Sequence, residues 1–148
     1  MSLKQNIQNS MKAAMKARET LDLGVIRMVW SAIRKLEIDS KVDASDDEIL
    51  GIIQKEIKSL NETISFLEQD NRTDAINEAK NKIAVLHKFL PEQLSEDAIR
   101  SEVLKVKSEL NVSGPQAMGK MMGKLVPLLK GRCDGKVLSK VVREVLSE

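Results

Sequence analysis

The chain of 148 residues has no tyrosine, two phenylalanines and one tryptophan, so it cannot build the aromatic platform on which sheet-based RNA binders stack nucleobases. A single cysteine excludes an internal disulfide. No apolar run is long enough to span a bilayer, and no signal-peptide pattern opens the chain, so a reducing cytoplasm without membrane attachment is the expected location. Glycine loops of the nucleotide-hydrolase and dinucleotide-binding kinds are missing as well.

With only three prolines, and with β-branched residues at helical rather than alternating intervals, the composition predicts an all-α protein. The net charge of +2 conceals a segregation. Residues 1–37 carry seven Lys/Arg against three Asp/Glu, and residues 38–78 carry four against eleven. Residues 79–110 carry six against five, and residues 111–148 seven against three. A polyanion should therefore meet an end of the chain and avoid the acidic middle.

Ser2 can cap a first helix running to about Arg18, and a second starts near Thr20 with Val25, Ile26, Val29, Ile33 and Leu36 on one face. Ser45-Asp46-Asp47-Glu48 has the form of a capping box and opens the longest helix, interrupted at Asp70–Thr73. A fourth helix runs toward Pro91, which cannot continue it. These segments predict an N-terminal antiparallel hairpin or bundle of about four helices over 1–90, with a boundary at Leu90–Ser95. A C-terminal three-helix bundle over 95–148 should follow, its helices capped by Ser95, Ser113 and Asp134, with Gly131 closing the middle one. Pro127 falls inside that middle helix and implies either a kink or an early end.

Catalytic chemistry is hard to find. His87 is the only histidine and has no recognisable nucleophile beside it, so it reads as structural. Cys133 sits in a Gly-Arg-Cys-Asp-Gly turn where Arg132 and the following helix N-terminus should lower its pKa, yet without a nearby base it reads as a turn filler. The acids Asp46, Asp47 and Glu48 are explained by capping and by the helix dipole, so neither a metal nor another cofactor is expected.

The middle helix of the C-terminal segment is more informative. Met118-Gly119-Lys120-Met121-Met122-Gly123-Lys124 repeats Met-Gly-Lys at a spacing of four, which stacks apolar, bare and cationic positions in separate stripes. Glycines inside a helix cost about 1 kcal/mol each and like charges at this spacing cost roughly 0.2–0.5 kcal/mol, so packing or an anionic partner must compensate. With Lys130, Arg132, Lys136, Lys140 and Arg143 the cations form a set suited to the backbone and shape of folded RNA. Two alternatives stay open on charge alone: a solvated lysine face, and glycines that serve close helix packing. An adaptor in which the acidic third helix meets a basic protein, with no RNA contact, is a further reading.

Four segments, Ile26-Arg27-Met28, Leu90-Pro91-Glu92-Gln93-Leu94-Ser95, Met118-Gly119-Lys120 through Gly123, and Lys130-Gly131-Arg132-Cys133-Asp134-Gly135, make the chain resemble the YqeY-like proteins over essentially its whole length. Those proteins are related to the tail domain of the B subunit of tRNA-dependent amidotransferase and similar to an appendage of some glutaminyl-tRNA synthetases. The resemblance implies an N-terminal helical part and a three-helix tail that contacts tRNA, with catalysis in a separate domain. It implies contact residues at Gly119, Lys120, Gly123, Lys124, Lys130, Gly131 and Lys136, to which the charge pattern adds Arg132 and Lys140. The expected partners are tRNA and a tRNA-dependent amidotransferase or aminoacyl-tRNA synthetase, met by a monomer. Carbon-nitrogen ligase activity with glutamine as amido donor belongs to the larger enzyme, and none is expected of this chain alone.

Overall fold

The computed structural model describes Ser2–Glu148, and among these residues every regular element is helical. Seven α-helices follow in order: α1 (Leu3–Ala17), α2 (Thr20–Ser40), α3 (Asp46–Gln69), α4 (Thr73–His87), α5 (Glu96–Leu110), α6 (Met118–Leu128) and α7 (Gly135–Leu146). A single 3-10 turn, Pro115–Ala117, leads into α6. The chain divides into two compact units, one ending at Leu90 and the other running from Pro91 to Glu148.

Helix limits follow local chemistry. The Ser45 hydroxyl accepts from the Glu48 amide at 3.1 Å while the Glu48 carboxylate accepts from the Ser45 amide at 3.1 Å, so two first-turn donors of α3 are satisfied reciprocally. Ser2, Ser95 and Asp134 cap α1, α5 and α7 in the same way, accepting from Gln5, Ala98 and Lys136 amides. Arg18, Lys41 and Asn111 close α1, α2 and α5 in the left-handed conformation.

Three expected boundaries move. Ser113 does not cap α6: Gly114 turns the chain at φ 84 and Pro115 starts the 3-10 turn, so α6 begins at Met118 without a side-chain cap. Gly131 is not the C-cap either, because α6 ends at Leu128 and Leu129 takes that position. Pro127 lies in the last turn of α6, so the helix ends one residue beyond it. The fourth helix likewise stops at His87, short of Pro91.

In the first unit α1 packs on α2 and α3, α2 on α3 and α4, and α3 along α4. Ile7, Val25, Ile26, Val29, Ile33, Ile49, Ile53, Val85 and Leu86 form its core. At 1.5 Å per residue α3 is about 36 Å long. Ile49 and Ile53 join the core from its N-terminal half, Ile64 is buried in the other half, and Phe66 beyond it is exposed.

Glu37, at the end of α2, is a charged side chain taken into that unit's interior. It accepts from Lys4 Nζ at 2.7 Å, from the Ala44 amide at 3.0 Å and from Arg34 Nη1 at 3.1 Å. Those bonds hold its carboxyl below the usual carboxylate range, with the Lys4 bond the leading cause and desolvation opposing. The start of α1 is also tied to α3, since the Leu3 amide donates to Asp46 Oδ1 at 3.2 Å.

In the second unit α5, α6 and α7 all pack on one another. Ile99, Val103 and Val106 from α5 meet Met121 and Leu125 from α6 and Leu138, Val141, Val142, Val145 and Leu146 from α7. On each helix these positions recur at three and four residues, leaving the opposite face to polar groups.

Candidate nucleic-acid interface

The apolar stripe of α6 decides where its lysines go. Met121 and Leu125 are fully buried and Met118 and Met122 half-buried, so the helix is fixed with Lys120, Lys124, Gly119 and Gly123 on its exposed side. A Cβ added at either glycine would meet nothing within 4 Å. Close helix packing inside this unit therefore does not explain the glycines: each leaves bare backbone on the surface beside a lysine.

On α7 the buried positions Leu138, Val141, Val142 and Val145 put Lys136, Lys140 and Arg143 together on the exposed strip. Lys140 Nζ is 3.6 Å from Glu96 Oε1, a pair exposed at both ends and worth at most about 1 kcal/mol. Lys120, Lys124, Lys130, Arg132, Lys136 and Arg143 make no ion pair with a carboxylate among the described residues. Arg100 behaves differently, bridging Glu144 and Glu148.

Between the two helices the chain passes through Lys130–Asp134. Lys130 is half-buried and Arg132 exposed, whereas Gly131 is buried at φ 79, a conformation only glycine takes without strain. Gly131 thus offers no surface of its own, and its carbonyl accepts from Gln93 Nε2 at 2.7 Å. Next to it the Arg132 carbonyl accepts from the Leu94 amide at 2.8 Å. Two segments singled out by sequence, Leu90–Ser95 and Lys130–Gly135, are thereby two halves of one contact.

Cys133 lies in the interior of this turn, its thiol 4.0 Å from the Leu129 carbonyl. Desolvation pushes the thiol pKa up, Asp134 adds to the rise, and Arg132 opposes it less strongly. The depression expected from Arg132 and the helix N-terminus is overturned: burial, helped by Asp134, outweighs Arg132. His87 ends α4 on an exposed position. Of the acidic trio, Glu48 completes the capping box and Asp46 holds the Leu3 amide. Among the described residues no three His, Cys, Asp or Glu side chains are grouped to hold a metal, and no helix is long and apolar enough to cross a membrane.

Sequence reasoning missed two residues. Gln93 lies in the proline-centred segment and bonds a carbonyl 38 positions away, and Glu37 pairs with Lys4 33 positions away, so no local pattern marks either bond. An acid next to Leu36 near the end of an apolar-faced helix is the signal for Glu37, and a glutamine two residues after a proline break the one for Gln93.

The family model described as "Yqey-like protein" matches residues 4–146. A similar protein is "Altered inheritance of mitochondria protein 41, mitochondrial" of Pyrenophora tritici-repentis (strain Pt-1C-BFP), 27% identical over 143 residues that cover 95% of this chain and 78% of the relative. The protein of the same name from Kluyveromyces lactis is 28% identical over 130 residues, 82% of this chain and 70% of the relative. Both relatives are named as mitochondrial, which overturns the cytoplasmic location expected from composition. The chain belongs to the YqeY-like family.

Proposed function

We propose that this YqeY-like chain is a non-catalytic helical module of tRNA metabolism that docks on the sugar-phosphate surface of tRNA, alone or held by an amidotransferase or synthetase, through α6, α7 and the turn between them. The observation that carries this reading is the pairing of exposed bare glycines with lysines that have no carboxylate partner among the described residues, on a helix whose other side is fixed in the core. Lysines 120 and 124 supply the charge that phosphates need, and Gly119 and Gly123 let a backbone approach without meeting a side chain. The scarcity of rings fits recognition of shape rather than of bases.

Binding of tRNA measured by filter retention across a salt series tests it. Affinity should fall linearly on logarithmic axes, and Lys120→Glu/Lys124→Glu should weaken binding and lower the slope by about 2, one for each phosphate contact removed. A flat salt dependence, or unchanged affinity in the double variant, defeats the reading.

A further inference from the structure

We propose that Gln93 is a positioning residue for the cationic turn, holding Lys130 and Arg132 in the arrangement that meets a polyanion; this rests on the RNA reading of the surface. A side-chain amide nitrogen has two protons, and that of Gln93 donates one to the Pro91 carbonyl at 2.8 Å and one to the Gly131 carbonyl at 2.7 Å. Both neighbours are acceptors, so the orientation of the amide is fixed by chemistry: its oxygen in the same place would face two carbonyls. One residue later the Leu94 amide takes the Arg132 carbonyl, and the Leu94 side chain packs against the unit's core. Two consecutive linker residues thus hold two consecutive carbonyls of the turn.

The turn is pinned from its other sides too. The Arg132 amide donates to the Leu129 carbonyl at 3.0 Å, and Asp134 caps α7 through the Lys136 amide at 2.8 Å. Among the described residues neither Lys130 nor Arg132 is held by an ion pair with a carboxylate, so the backbone beneath them sets where both side chains start. Ordering that backbone in advance removes an entropy cost that binding would otherwise carry. Glutamine suits the position chemically. Glutamate would set a carboxylate against two carbonyl oxygens, and alanine would leave the Gly131 carbonyl without its donor.

The test uses the full chain with Gln93→Ala and Gln93→Glu in two measurements. In the absence of RNA, amide hydrogen exchange should accelerate at Leu94 and Arg132, whose amides bond the Arg132 and Leu129 carbonyls, while the cores of α5 and α7 stay protected. With tRNA, the salt slope should fall by about 2 as both cations drop out of register. In a Lys130→Ala/Arg132→Ala background, Gln93→Ala should then change affinity no further, an outcome that a merely structural role would not produce. Unchanged exchange, or an equal loss of affinity in that background, overturns the positioning role while leaving the RNA reading intact. Failure of the wild-type chain to bind tRNA overturns the RNA reading, and with it the use assigned to the turn.

Discussion

Lys4 and Glu37 meet at 2.7 Å across 33 positions of sequence, and the carboxylate of that pair also receives the Ala44 amide and the Arg34 guanidinium. The first turn of α1, the end of α2 and the approach to α3 therefore converge on one charge. Lys4 sits in addition 5.9 Å from the centre of the Trp30 ring, within the range of a cation-π contact.

This convergence makes stability depend on acid. A carboxyl whose folded-state pKa lies below its ordinary value contributes stability that is fully present above the ordinary value and is lost as pH falls through the folded one. Glu37→Gln should lower the thermal midpoint at pH 7. The gap between variant and wild type should narrow below the ordinary glutamate value of 4.5 and close as the folded side chain, whose pKa lies lower still, takes up its own proton. A gap that stays constant down to pH 3 would contradict the assignment.

The two exposed glycines of α6 separate stability from binding. Both positions have open space for a Cβ, so Gly119→Ala and Gly123→Ala should each stabilise the chain, by about 0.5–1 kcal/mol in denaturant titrations. The same substitutions should weaken tRNA binding, because the methyl group stands where a backbone would approach. Variants that are more stable and bind equally well would leave the glycines without a part in the interface.

Cys133 should be slow to react. Burial and a raised pKa keep the thiolate scarce at neutral pH, so modification by an aromatic disulfide reagent should lag far behind that of the unfolded chain in guanidinium. The two rates should converge as denaturant increases. Rapid modification of the native chain at pH 7 would show that the turn opens readily.

Pro127 makes a fourth case. It withholds a donor from the last turn of α6, so Pro127→Ala should raise stability, by less than the roughly 3 kcal/mol of a mid-helix proline because the helix ends at Leu128. Denaturant midpoints of the two chains check this.

Much of the fold was legible because helix starts are local events. Ser45 with Glu48, Ser95 and Asp134 each lie within three residues of the amide they receive, so a short window of sequence contains the whole interaction. Ser113 looked equivalent but lost to its neighbours: the positive φ of Gly114 and the ring of Pro115 favour a 3-10 turn before any cap can form. The end of α6 was misjudged toward Gly131 because the left-handed glycine there serves the turn rather than the helix.

The lysine and glycine stripes of α6 could be read from spacing alone, since one buried face fixes the direction of all others. What spacing could not show is how the turn is held. Gln93 reaches Gly131 across 38 positions, and no periodicity in either segment announces that bond. Cys133 failed for a related reason: sequence displays the neighbouring charge of Arg132 and hides the desolvation that outweighs it.

The missing donor of Pro127 has a chemical sequel at Gly123, whose carbonyl would otherwise receive it. Deprived of that amide, the acceptor needs another donor, a neighbouring amide or water. A ribose carries a hydroxyl able to replace that water, whereas deoxyribose has none. Matched strands of the two sugars, compared at equal ionic strength, would show whether this leftover valence is used.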